Sequence, residues 1–354
     1  MTSELDVFRD TIAHRRPERV LYHFDCTPDL GRRLAAHIGG DGNWSRHFGC
    51  MTGRWLSPRR PAGVPPPDHA PYWAGHAMPK GSWVNHLGVL EVPGSAHHFT
   101  AYVSPLRHCA SVDEIERYPL DDAARLDFSH WAAEARNAHA AGLPVFAWIG
   151  HMYENAWQVR GYEPFLEDLI ERPAWAHAML DRFFRYNLHA ATAAASAGAD
   201  MIQCGDDVAN QRTLMFSLPM WREFILSRWA RVWRAAKAVK PDLVVHYHSD
   251  GNVMAIVGEM ADAGLDVLNP VQPECVDTDS LHREFGDRLS FDGCIGTQTT
   301  MPFGSPADVR ARVKECLERY GRKGGLILAP THVLEPEVPI ANIEAFAAAC
   351  RDLG

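Results

Sequence analysis

The stretch Ala197-Gly198-Ala199-Asp200-Met201-Ile202-Gln203-Cys204-Gly205-Asp206-Asp207 contains one complete unit of the fold. An alanine-rich helical pattern ends at Gly198, where a left-handed cap residue is expected. A short apolar run, 200–204, then reads as a strand, and two carboxylates follow it at once. The same grammar returns at Ala263-Gly264-Leu265-Asp266, which ends another helical pattern and opens another strand. Such repetition is what successive βα units leave in a sequence.

Working outward, strands are expected at 144–149, 200–204, 243–248, 266–269, 289–293 and 325–329. Helices are expected at 163–170, 174–197, 219–239, 253–263, 279–285, 306–320 and 342–351. Pro173 and Pro306 suit first helical turns, and Gly264 and Gly321, like Gly198, suit the residue after a helix. Six strands with intervening helices require parallel pairing and right-handed crossovers. An open doubly wound sheet and a closed barrel both satisfy that rule. No Gly-x-Gly-x-x-Gly follows the first strands, which disfavours the dinucleotide-binding form. A (β/α)8 TIM barrel needs two more strands, and 19–24 and a segment within 88–103 are available.

The location of the polar residues favours the barrel. His151 and Glu154 follow the first of these strands, Asp206, Asp207 and Gln211 the second, and His248 and Asp250 the third. Asn269 and Gln272, Gln298, and His332 follow the last three. Barrel enzymes assemble their sites from the C-terminal ends of many strands, whereas an open sheet concentrates ligand at one switch point.

Within Leu243-Val244-Val245-His246-Tyr247-His248-Ser249-Asp250, alternation puts His246 and His248 on one strand face, and Asp250 continues the row if the chain stays extended. Two imidazoles and a carboxylate suit a divalent metal or proton transfer, or else two packed histidines paired with backbone. Asp206 and Asp207 are adjacent and point apart, so one is expected in the cavity, with Asp207 favoured. The bland alternative is a capping aspartate. Glu154 is a third candidate acid or base, or a carboxylate at a helix start. Gln211, Gln272, Gln298, His151, Trp157 and Tyr72 are candidate substrate contacts, the aromatics serving equally well as core.

Composition bounds the rest. The chain has 354 residues, 46% hydrophobic and 22% charged, as in ordinary globular proteins. A net charge of −9 argues against nucleic-acid binding. No apolar run approaches the roughly 20 residues that span a bilayer, so no membrane association and a cytoplasmic location are expected. The eight cysteines form no Cys-x-x-Cys pair, which excludes a zinc ribbon. Residues 1–354 read as one barrel domain with an irregular N-terminal part. Within it, 57–83 is a proline-rich excursion whose aromatics argue for order, over the barrel mouth or in a subunit contact.

Several motifs in order resemble the uroporphyrinogen decarboxylase superfamily. They are Gly205-Asp206-Asp207-Val208-Ala209-Asn210-Gln211 with Ser217 to Phe224, then His248-Ser249-Asp250-Gly251-Asn252. Asp266 to Gln272 and Leu328-Ala329-Pro330-Thr331-His332 with Val338-Pro339 and Asn342-Ile343 complete the series. The resemblance is continuous from about 144 to 350. It implies a (β/α)8 barrel and, as activities, tetrapyrrole decarboxylation or zinc-dependent methyl transfer with corrinoid or thiol partners. The Arg-Gln-Ala-Gly-Arg motif of true uroporphyrinogen decarboxylases is absent; the corresponding region reads His23 to Arg33. The chain therefore looks closer to the methyltransferase-like branch. There a His-x-Cys-Gly motif supplies two zinc ligands and the last strand's loop a third.

By that resemblance His248, Asp250 and His332 are the metal ligands, with Asp250 in the cysteine's place. A carboxylate there makes a harder site, open to Zn2+, Fe2+ or Mn2+. The expectation is a metal-dependent methyl (alkyl) transferase activating an oxygen or sulfur centre of a small substrate, with Asp207 or Glu154 handling the proton. His246 then falls back to structural support. A corrinoid protein is the implied partner and a homodimer the implied assembly. A metal-assisted decarboxylase or lyase on a small carboxylic acid, and a non-catalytic corrinoid- or tetrapyrrole-binding barrel, fit the same residues.

Overall fold

A computed structural model describes residues 2–94 and 100–354. Eight parallel strands form its main sheet: β1 (Leu21–Tyr22), β2 (Arg54–Leu56), β3 (Val145–His151), β4 (Met201–Gly205), β5 (Val244–His248), β6 (Val267–Val271), β7 (Ser290–Ile295) and β8 (Leu326–Pro330). Their spatial order is β1-β8-β7-β6-β5-β4-β3-β2, chain order run around a ring. The Met51 amide donates to the Tyr22 carbonyl at 2.7 Å, tying the approach to β2 onto β1. Helices connect the strands, as crossovers between parallel neighbours require. The architecture is the (β/α)8 barrel.

Strand alternation sorts side chains into two sets. Ile202 and Cys204 of β4, Val245 and Tyr247 of β5, and Leu326 and Leu328 of β8 pack outward against the helices. Leu21, Phe146, Met201, Val244, Val267 and Ile327 meet inside and close the lower end of the barrel. Val7 and Phe8 join this inner cluster from the helix Glu4–Ile12, whose start is fixed by a reciprocal Ser3–Asp6 capping box. One step toward the strands' C-terminal ends, the inward positions turn polar: Gln203, His246 and Asp292. The barrel is thus plugged below and hollow above.

The expected elements are largely present, and the differences have local causes. The second barrel strand is Arg54–Leu56, not a segment of 88–103. Leu90–Pro93 and Thr100–Val103 instead pair antiparallel with each other, and Trp83–Val84 joins them in a separate three-stranded sheet. Residues 95–99 of that window lie outside the described residues. The 57–83 excursion carries a short helix, Ala70–Trp73.

The helix expected at 219–239 is interrupted. A π-helical stretch, Trp221–Leu226, separates Leu218–Met220 from Ser227–Val239. An unforeseen helix, Tyr153–Arg160, follows β3. Gly198 and Gly264 take the left-handed cap conformation, but Gly321 has φ −100° and stays right-handed. Among the described residues no helix is long and apolar enough to cross a membrane.

Candidate active site

The C-terminal ends of β4, β5 and β6 hold the centre of the site. In the parallel register Gly205 faces His248 and His248 faces Asn269. A Cβ at Gly205 would stand 2.4 Å from the His248 carbonyl oxygen, so glycine is what lets β5 approach. Asn269 Oδ1 lies 2.7 Å from His248 Nδ1, which makes Nδ1 the donor and leaves Nε2 for other use. The nearest carboxylate oxygen to Nε2 is Asp207 Oδ1 at 3.7 Å.

Asp250 completes the cluster. Its amide donates to Asp207 Oδ1 at 2.8 Å, and its Oδ1 accepts from Gln272 Nε2 at 3.1 Å. Gln272 Oε1 in turn accepts the Gly251 amide at 2.6 Å, so one carboxamide fixes both residues of the turn. Gly251 needs its positive φ of 89° there. His332 Nε2 stands 4.0 Å from Asp250 Oδ2. Burial pushes the Asp250 carboxyl above its usual range, and Asp207 and Glu154 add to the rise against the opposing pull of His248 and His332.

Asp207, His248 and Asp250 offer ligating atoms within 4.8 Å of one another. Of the expected set, His248 and Asp250 are brought together, with Asp207 as the third member in place of His332, which stands beside Asp250 but outside the group. Two carboxylates and an imidazole are a donor set suited to a divalent cation.

A second cluster lies against it. His151, Glu154 and Asp206 also offer atoms within 4.8 Å. His151 Nδ1 is 2.7 Å from Glu154 Oε2 and 2.6 Å from the Gly205 carbonyl oxygen. Asp206 is fully buried and saturated. Its Oδ1 accepts the amides of Met152 at 2.8 Å and Glu154 at 3.1 Å, and its Oδ2 accepts Trp229 Nε1 at 2.8 Å. Burial nevertheless pushes the Asp206 carboxyl up to about 7. Burial acts to lower the His151 pKa, yet the Glu154 contact outweighs it and carries His151 up to about 9. Asp206 and Asp207 thus part as adjacent residues should, one fully buried and the other 39% exposed beside His248.

His248 and His332 border a cavity of about 590 Å³ that runs down into the barrel. Asp250, Gln272, Thr297, Gln298 and His332 border a smaller one of about 230 Å³. Gln211 and Gln298 meet at 3.2 Å on the rim. Trp157 packs edge-on between Tyr102 and Tyr162. Tyr72 packs on Tyr118 and lines neither cavity. His151 opens instead on a third cavity of about 420 Å³, shared with Trp148, Arg182 and Tyr186.

Sequence reasoning passed over His23, Gln203 and Asp292, which line the large cavity together with His246. The signal available was a charged residue at an inward position of an apolar strand, Ser290-Phe291-Asp292.

Comparison with known proteins agrees with the fold. A sequence profile described as Uroporphyrinogen decarboxylase (URO-D) matches residues 92–353. A uroporphyrinogen decarboxylase of Chloroflexus aurantiacus is 24% identical over 57% of this chain and 57% of its own length. A methylated-thiol–coenzyme M methyltransferase of Methanosarcina mazei is 22% identical over 62% of this chain and 56% of its own. The chain thus spans little more than half the length of these curated relatives. Among solved structures, a methyltransferase from Methanosarcina mazei superposes with a TM-score of 0.66 at 18% identity, over 99% of this chain and 98% of its own. That likeness establishes the shared fold.

Proposed function

The chain belongs to the uroporphyrinogen decarboxylase family, and from that premise we propose that it is a metal-dependent methyl (alkyl) transferase acting on an oxygen or sulfur centre of a small substrate. The observation that carries this reading is the Asp207–His248–Asp250 group, with His332 beside Asp250. Its donors fit a divalent ion of the zinc, iron(II) or manganese(II) kind, and His248, Asp250 and Asp207 or His332 would hold it. When bound, such an ion lowers the pKa of a coordinated thiol or hydroxyl.

The protein's own side chains supply the rest. Asn269 holds the His248 ring with Nε2 outward, and Gln272 holds Asp250. Glu154, anchored by His151 at 2.7 Å, receives the proton the substrate loses. The methyl partner is a corrinoid protein or a thiol. A thiol is supported by the relative whose name specifies coenzyme M.

Elemental analysis of the purified protein and of His248→Ala tests the reading. About one divalent metal per chain and methyl transfer are expected in the parent, and both should disappear in the variant. Full activity in a metal-free parent would sink it. Carbon dioxide release from a small acid without methyl transfer would decide for a decarboxylase.

A further inference from the structure

The third cavity, of about 420 Å³, lies beside β3 where the barrel wall is incomplete. β2 pairs with β3 only at Val145, Phe146 and Ala147, so among the described residues Trp148 to His151 have no ladder partner on that side. The long helix Pro173–Ala197 brings Arg182, Phe183, Arg185 and Tyr186 to the cavity. Residues three apart on a helix are surface neighbours, so the two guanidiniums lie side by side. Arg182 is half-buried and Arg185 is exposed.

Like charges at this spacing repel. Among the described residues no carboxylate oxygen lies within 4.0 Å of either guanidinium. Arg182 Nη1 donates to the Ile115 carbonyl at 2.6 Å, which uses one N–H and leaves the charge unmatched. Burial and the neighbouring Arg185 lower the Arg182 pKa, and Tyr118, Tyr72 and Glu116 do not reverse the fall. The two carboxylates on the cavity wall are engaged elsewhere. Both Asp121 oxygens accept from Arg60 Nη2, at 2.7 and 2.8 Å, and Asp122 Oδ1 accepts the Ala124 amide at 2.9 Å. A solvated helix face would account for Arg185. It would not account for a half-buried guanidinium in a concavity whose other walls are Leu87, Leu120, Trp148 and Ile149.

We propose that this cavity is a binding site for a small organic oxyanion, a carboxylate or phosphate carried on an apolar or aromatic body. Arg182 and Arg185 take the anionic group through charge-assisted hydrogen bonds. Leu120, Trp148 and Ile149 take the body. His151 borders the same cavity, so an occupant sits beside the imidazole that holds Glu154. The site needs neither the Asp207–His248–Asp250 group nor the reaction proposed for it.

The test is calorimetric titration of the purified protein with benzoate, phenyl phosphate and benzyl alcohol. At least one anion should bind about tenfold more tightly than the alcohol, the worth of one charge-assisted hydrogen bond, and the tighter anion names the group. In Arg185→Gln that anion should weaken about tenfold while the alcohol is unchanged. Arg182→Gln should do the same. If loss of its bond to Ile115 prevents folding, as read by circular dichroism, Arg185→Gln decides alone. A metal at the mouth would also take a carboxylate, so the titrations are repeated on His248→Ala, where the anion affinity should persist. Equal affinity for anion and alcohol, anion affinity untouched by Arg185→Gln, or its loss in His248→Ala overturns the proposal. Metal content is read on the same samples. Anion binding in a parent that holds no metal sinks the reaction proposed above and leaves this site standing.

Discussion

The barrel mouth holds two clusters of the same composition, each with one imidazole and two carboxylates within 4.8 Å. Their chemistry differs because their hydrogen bonds differ. In the His151–Glu154–Asp206 group, Asp206 takes three N–H donors, and Glu154 is held by His151 as an ion pair at 2.7 Å. In the Asp207–His248–Asp250 group, His248 Nε2 is 3.7 Å from its nearest carboxylate oxygen, and Asp207 is 39% exposed. Side-chain type therefore does not distinguish a ligand set from a structural network. The state of satisfaction does.

The largest expected effect separates the adjacent aspartates. Asp206→Ala strands three buried donors and should cost about 3–5 kcal/mol of stability. Asp207→Ala should cost under about 1 kcal/mol, as exposed substitutions do, and act on metal content instead. Urea unfolding of both variants, with metal analysis, checks the pair; equal destabilisation would erase the distinction.

Gly205 is the joint between the clusters, since its carbonyl holds His151 and its α-carbon abuts His248. Gly205→Ala should therefore cost about 1–3 kcal/mol by overpacking. It should also weaken metal binding, and loss of stability with intact metal affinity would show the clusters to be mechanically independent.

Asn269→Ala leaves every carboxylate in place and frees only the His248 ring. Metal affinity should fall about 10–100-fold, as for other outer partners of metal-binding histidines. Competition with a fluorescent chelator measures it, and unchanged affinity would mean that the ring is held by other groups.

The smallest effect concerns the deeper His23–Asp292 contact, a fully paired reference for both clusters. Burial acts to raise the Asp292 pKa, but the charges and hydrogen bonds of His23 and His246 outweigh it and hold the carboxyl well below its usual range. Burial likewise acts to lower the His23 pKa, and Asp292 reverses that and raises it. A depressed carboxyl contributes stability above its unfolded value of about 3.9 and loses it as pH falls through the folded value. A raised imidazole contributes below about 6.5 and loses it as pH rises through the folded value. The contact should therefore stabilise most between about pH 4 and 6.5. The urea midpoint gap between the parent and Asp292→Asn should be wider at pH 5 than at pH 8.5, and a gap that widens with pH would refute the assignment.

Much of this was legible in residue order. The Ala-Gly-x-Asp joints and apolar runs marked the strands, and the polar residues after them marked the mouth. Adjacency alone separated Asp206 from Asp207. The second strand was not legible, because Arg54–Leu56 is three residues long and two of them are exposed. Nor was the π-helical turn at Trp221–Leu226, since its residues fit an ordinary helix equally well.

The sequence by itself determined the βα rhythm, the alternation of sides along the strands it located and several of the polar groups that follow them. These follow from backbone periodicity and hydrophobic patterning, which are local. Only the tertiary structure decided which groups are satisfied and which are left facing one another. His23, His246 and Asp292 come from three strands far apart in the chain, and nothing in their local sequence says that they meet. The distinction between a neutralised cluster and one suited to a cation rests on distances of a few ångströms across the barrel. Closing the sheet sets those distances, and so it is the fold that turns a list of polar residues into a site.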